Sequence, residues 1–215
     1  MLLKTLTAGF FGLTILGFLL PSCTLLESDP KDEFYTDFAL GVPWRFHFNH
    51  DHPDCEVALI ADGVLHLRSS PQDGFGSGAQ AWFTREIPRG SEVYFTVQFN
   101  DYFNEQHPAG HFNLLSQGPE NRIVFMAASD WFGYFAMVNG EEFPELGGAE
   151  SLPGVEFDTD RWYAFRFVLR DSALDIHIDG TMTHTVEYPE GLPDSGFFVF
   201  ESHNEFRVKE FGVRF

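Results

Sequence analysis

The chain has 215 residues, of which 44% are hydrophobic, 17% aromatic and 21% charged. That composition is too apolar and aromatic for a disordered chain and fits one globular domain plus a short export segment. Asp and Glu number 32 against 13 Lys and Arg, a formal net charge of -19, which argues against a nucleic-acid partner and disfavours polyanionic sugars and anionic membrane surfaces.

Met1–Leu3 and Lys4 carry one positive charge, and Leu6–Leu20 is a mostly apolar run. Its length suits the apolar region of a signal peptide and is short for a membrane span of roughly 20 residues. The run ends in Leu20-Pro21-Ser22-Cys23. A Leu three residues before a Cys, with a small residue between, resembles a bacterial lipobox. The resemblance implies cleavage before Cys23 and diacylation of its thiol. Residues 1–22 are then a signal peptide, and the mature chain is a membrane-anchored lipoprotein of the bacterial cell envelope. Ordinary signal cleavage after a small residue would leave a periplasmic or secreted protein instead. Cys55 is the only other cysteine. It is a lone thiol if Cys23 is acylated, and a Cys23–Cys55 bridge is open to it otherwise. Loss of residues 1–22 removes Lys4 and makes the mature chain more acidic. Residues 23–37 read as an acidic tether kept extended by its carboxylates, and residues 38–215 as a single domain.

Strand signals then recur between turn clusters. Gly63–Arg68 reads as a short strand after an Asp62-Gly63 turn, and Gln80–Thr84 follows the Gly-rich Asp73–Gly78. Glu92–Asn100 alternates, with Val93, Phe95, Val97 and Phe99 on one side. Phe112–Ser116 and Ile123–Ala127 flank a Gly-Pro turn and read as a hairpin. Phe132–Val138 precedes Asn139-Gly140, a hairpin signal. Trp162–Leu169 alternates again and leads to Leu174–Ile178, the Asp179-Gly180 turn and Met182–Val186. Gly196–Phe200 and Phe206–Phe215 close the chain. No helical period is sustained beyond the leader, and the 26 phenylalanines suggest a thick core between sheets. The expected fold is all-β, a two-sheet antiparallel sandwich.

The last third carries a more specific pattern: Trp162-Tyr163-Ala164-Phe165-Arg166-Phe167, the hairpin Leu174-Asp175-Ile176-His177-Ile178-Asp179-Gly180, Thr183-His184-Thr185, then Gly196–Phe200 and Phe206–Val213. It resembles the concanavalin A-like lectin/glucanase jelly rolls, in a sugar-associated branch of unclear activity. The resemblance implies that one curved sheet presents a concave face able to hold a saccharide. It does not fix an activity.

Four sets of residues are candidates for chemistry. Glu156-Phe157-Asp158-Thr159-Asp160 approximates the alternating carboxylates of retaining glucanases. It ends in Asp rather than Glu and lies in a Pro/Gly loop, so a solvated acidic turn is expected. His47-Phe48-Asn49-His50-Asp51-His52-Pro53-Asp54 is dense in imidazole, which suits zinc. Pro53 marks it as a loop, and a third ligand at a defined spacing is not evident. His203-Asn204-Glu205 joins the last two strands and reads as a chain reversal. The fourth set is the polar side of the strands: Gln98, Asn100, His111, Asn113, Arg166 and His184, with Trp131 and Tyr134. Rings stack on a pyranose while amides and Arg bond its hydroxyls. The acidic excess could include a Ca²⁺ site, since hard cations want several oxygens, but no Asp/Asn spacing resembles a calcium loop and the sequence requires no cofactor. These residues point to a non-catalytic carbohydrate-binding protein. A glycoside hydrolase or polysaccharide lyase on the same cleft, and a structural or protein-interaction envelope module, are the alternatives.

Overall fold

The computed structural model describes residues 32–39, 41, 43–50, 56–60, 63–69, 78–101, 110–128, 131–143, 150–159 and 161–215. The leader, Cys23, tether residues 24–31 and Cys55 lie outside the described residues. The first strands are β1 (Glu33–Thr36), β2 (Phe46–His50), β3 (Glu56–Ile60), β4 (Val64–Arg68), β5 (Ala79–Pro88) and β6 (Glu92–Asp101). The middle of the chain forms β7 (Gly110–Ser116), β8 (Arg122–Ala128), β9 (Trp131–Val138), β10 (Glu141–Phe143) and β11 (Glu150–Ser151). The last are β12 (Trp162–Leu169), β13 (Ala173–Ile178), β14 (Thr181–Glu187), β15 (Ser195–Ser202) and β16 (Glu205–Arg214).

These strands make two antiparallel sheets of eight. Sheet A runs β14-β13-β12-β6-β16-β4-β3, with β1 also on β16, and sheet B runs β10-β9-β8-β7-β15-β5-β2, with β11 on β9. The expected all-β sandwich is therefore the fold. The strand pairing begins ahead of the expected Phe38 boundary, because Glu33–Thr36 pairs with Phe211–Arg214. Phe34 turns its ring into the core, 4.9 Å from Phe83 between centroids, and the burial of one aromatic turns part of an acidic stretch into a strand.

Alternation sets what each strand buries. From sheet A, β6 contributes Val93, Phe95, Val97 and Phe99, and β12 contributes Tyr163, Phe165, Phe167 and Leu169. From sheet B, β7 gives Phe112 and Leu114, and β15 gives Phe198 and Phe200. Phe95 is the hub: its ring stacks on Phe165 at 5.2 Å and meets Phe200 edge-on at 5.1 Å across the sandwich. Offset and edge-to-face rings are the favourable arrangements of aromatic quadrupoles. The hairpins close as their sequences require, with Asn139-Gly140 at φ 51° and 82° and Asp179-Gly180 at φ 51° and 79°.

Two segments bear on the candidate sites. The histidine-dense segment is not wholly a loop. Phe46–His50 is β2, paired with β5, and Phe46 is in the core. Phe46 and Phe48 alternate into the interior, a pattern masked in the sequence by the neighbouring Pro53. His47 is exposed on the outer side, while the His50 side chain and residues 51–55 lie outside the described ones. The Glu156–Asp160 stretch is a loop with Glu156 and Asp158 exposed, pinned by Phe157 at 5.0 Å from the rings of both Phe99 and Tyr163. Asp160 is outside the described residues.

Candidate functional site

The eight side chains expected to line one cleft do not share a face. His111, Asn113 and Trp131 lie on the outer side of sheet B, since the neighbouring Phe112 and Phe132 point into the core. Gln98 and Arg166 lie on the outer side of sheet A, between the inward residues of β6 and β12. Asn100 belongs to β6, with its side chain outside the described ones. Tyr134 stands opposite Phe125 and packs against the core, with ring centroids 5.8 Å apart. His184 stands opposite Ile176, a core residue, on the edge strand β14. Alternation fixes the inward and outward sides of a strand, but not which sheet the strand joins. Consecutive strands β6 and β7 belong to different sheets, so their outward residues face away from each other.

The outer side of sheet B carries two cross-strand rows. Glu201 on β15 stands between Gln80 on β5 and His111 on β7. In the adjacent row, Val199 stands between Trp82 and Asn113. Phe198, Phe200 and Ser202 face inward, which forces Val199 and Glu201 outward. Trp82 is half-buried and donates its indole N–H to Gln80 Oε1 at 2.9 Å. Trp131, Phe135 and Phe197 are also half-buried, so aromatic surface flanks the polar rows.

The polar centre is a tight cluster. The Asn113 amide donates to Glu201 Oε2 at 3.1 Å, and Arg122 Nη1 lies 3.9 Å from the same oxygen. Arg122 also donates to Asn113 Oδ1 at 3.4 Å. The other oxygen, Oε1, faces His203 Nε2 at 3.5 Å. The His111 and His203 rings are 4.0 Å apart between centroids. His203 is held by the β15–β16 turn, where Ser202 Oγ and the Ser69 backbone N–H both donate to the Asn204 carbonyl, at 2.5 Å and 2.9 Å. His111, Asn113 and Glu201 are all buried although they lie on the outer side of their sheet.

Burial alone would raise the Glu201 carboxyl, but His203, His111 and the Asn113 amide bring it down to about 2. Glu201 is thus an anion at neutral pH. Burial pushes the His111 imidazole well below its usual range, with the His203 and Arg122 charges adding to burial and Glu201 opposing it. His203-Asn204-Glu205 is therefore more than a chain reversal. Sequence reasoning missed Glu201: the signal it offers is an i, i+2 spacing with His203 at a strand end, but their meeting with His111 depends on the β7–β15 pairing.

Sheet A has a groove of its own, ≈ 410 Å³, lined among others by Tyr94, Thr96, Arg166, His177, Glu210 and Arg214. Its charges are largely matched internally. Arg166 Nη2 is 3.3 Å from His177 Nε2 and Nη1 is 4.0 Å from Glu92 Oε2. Arg214 lies 3.2 Å from Glu33 and 3.4 Å from Glu92. Glu210 accepts from Thr96 and from Tyr35. Burial and the Glu33 carboxylate push the Tyr94 phenol up to about 12.

No family model and no curated protein matches the chain. Solved structures do match it in shape. The β-glucanase of Bacillus licheniformis superposes with a TM-score of 0.62 at 10% identity, over 86% of this chain and 99% of the glucanase. The carbohydrate-binding module CBM66 of Bacillus subtilis gives 0.55 at 14% identity, over 76% and 91% of the two chains. The carbohydrate recognition domain of Emp46p gives 0.58 at 11% identity, over 83% and 94%. At such identities the likeness is one of fold: this chain is built as a jelly-roll sandwich like those of the concanavalin A-like lectins and glucanases.

Proposed function

We propose that this protein is an exported, lipid-anchored carbohydrate-binding protein whose saccharide lies on the outer side of sheet B. The observation that carries the reading is the pair of rows there: Gln80, Glu201 and His111 beside Trp82 and Asn113, flanked by half-buried rings. Gln80 and Trp82 are half-buried and can meet a sugar directly, the amide on hydroxyls and the indole face on the apolar side of a pyranose, while the buried His111, Asn113 and Glu201 form the floor beneath them. Glu201 is the only carboxylate on β7, β8, β9 and β15. A glycosidase pair needs a second one about 5–9 Å away, so these strands favour binding over hydrolysis. The buried anion and the net charge of -19 favour neutral glycans. Similar structures named for carbohydrate binding and for β-glucanase activity agree with a saccharide ligand.

The test is a glycan panel scored for both binding and product release. Binding of a neutral glycan without turnover is expected, weakened about tenfold in Trp82→Ala by the loss of one ring contact. Turnover of any polymer overturns the pure binding reading. Anchoring rests on Cys23, outside the described residues, and Cys23→Ala is expected to move the protein from the membrane to the soluble fraction. A second reading has its own support: His177 and Tyr94 border Arg166 in the sheet A groove. An Arg to neutralise a uronate carboxylate beside a His or Tyr base is the set a polysaccharide lyase needs. Release of unsaturated uronates from an acidic polymer, abolished by Arg166→Ala, would establish that reading in place of the first.

A further inference from the structure

Among the described residues, two imidazole nitrogens of the Glu201 cluster are left without a hydrogen bond. His111 is 8% exposed, and the His203 side chain is 12% exposed. The Nε2 atom of each is buried without a hydrogen-bond partner among the described residues. Buried polar atoms in folded proteins are almost always partnered, and an exception calls for a cause. The contact of His203 Nε2 with Glu201 Oε1 is 3.5 Å and does not supply that partner.

We propose that His111, Glu201 and His203 form a site for one divalent transition-metal ion of the zinc class, with both imidazole Nε2 atoms and Glu201 Oε1 as ligands. One ligand atom from each residue can be chosen so that all lie within 4.8 Å of one another. In a tetrahedral zinc centre with bonds of about 2.0–2.1 Å, ligand atoms are about 3.3 Å apart. The site therefore requires side-chain rotation to close around an ion. Two imidazoles and one carboxylate select zinc and its neighbours over calcium or magnesium, which want oxygen ligands throughout.

The surroundings orient the carboxylate for this role. Asn113 Nδ2 and Arg122 Nη1 both sit on the Oε2 side, at 3.1 Å and 3.9 Å, which leaves Oε1 turned to the histidines. Such outer partners fix the geometry of ligating carboxylates. Gly78 supplies the space beside it: a Cβ there would lie 3.0 Å from Glu201 Cγ and 3.4 Å from Oε1. Three protein ligands leave a fourth position for water or a sugar hydroxyl. The ion site stands on the orphaned imidazoles and does not require the saccharide reading.

The experiment titrates the chelator-stripped full chain with Zn(II) by calorimetry and with Co(II) by visible absorption. One equivalent is expected, with the intense absorption of four-coordinate cobalt. His203→Ala and Glu201→Gln should each weaken binding by about 100-fold or more, and Asn113→Ala by about tenfold. Circular dichroism reports the fold of each variant, and His203→Gln, at a turn position, gives the same readout if another variant unfolds. No binding by the parent chain, or one equivalent bound equally well by folded His203→Ala and Glu201→Gln, overturns the proposal. Loaded and stripped protein are then compared on the glycan panel. A loaded protein that binds no glycan defeats the saccharide reading and leaves the ion site standing.

Discussion

Asn113 offers the sharpest test of how the Glu201 cluster is held together. It is 1% exposed, and its amide donates to a carboxylate that is itself buried. Asn113→Ala removes that donor and leaves Oε2, among the described residues, with Arg122 at 3.9 Å. A hydrogen bond to a charged group contributes about 1.5–3 kcal/mol to stability. In a domain of this size each kcal/mol moves Tm by about 2–4 °C, so a fall of roughly 3–12 °C is expected. Part of that would come from lost side-chain volume, which a double-mutant cycle removes. In a Glu201→Gln background there is no charge to satisfy, and the same truncation should cost about 1–2 kcal/mol less. Chemical denaturation of the four metal-free proteins measures the coupling. An equal cost of Asn113→Ala in both backgrounds would refute the reasoning, since the amide would then be a packing residue indifferent to the carboxylate.

Three further outcomes are expected. Phe95→Ala should destabilise by about 3–5 kcal/mol in thermal or denaturant unfolding, because its ring touches Phe165 on its own sheet side and Phe112, Phe198 and Phe200 across the core; Phe95→Leu should cost much less. Asp175 is held below the usual carboxylate range by its hydrogen bond from Arg170 at 2.6 Å and by the Thr185 hydroxyl. A depressed carboxyl contributes stability above its unfolded value and loses it as pH falls through the folded one. The Tm deficit of Asp175→Asn should therefore be largest near neutral pH and close as pH falls below the ordinary carboxylate range, and a deficit constant with pH would contradict this. Gly196→Ala should abolish the β15–β7 pairing, because the new Cβ would fall on the Leu115 backbone carbonyl; a parent-like far-ultraviolet spectrum and Tm would count against the register described above.

Much of the sandwich could be read from side-chain period. The Trp162–Leu169 strand matches β12 end to end, and the Asn139-Gly140 and Asp179-Gly180 turns lie where positive φ is needed. Regions with weaker local pattern were harder. Glu33–Thr36 has one inward ring in an acidic stretch, and Phe46–His50 has two beside a proline. Both became strands through burial against sheet partners distant in sequence. The site was legible one strand at a time. His111 and Asn113 were visible as outward polar residues of β7, but Glu201 and His203 gained meaning only beside them.

What the chain determined alone was which residues of each strand are apolar and where it must turn, because these follow from local alternation and backbone sterics. The acidic balance and the leader-like run are likewise properties of composition. Only the tertiary structure decided which strands neighbour each other, and so which outward residues meet. Gln98 and His111 are separated by a short stretch of chain yet face opposite sides of the molecule. His111 and Glu201 are distant in sequence and stand opposite each other on paired strands. The physical reason is that antiparallel pairing is a long-range contact, set by how two apolar faces pack together rather than by any local preference of the outward residues.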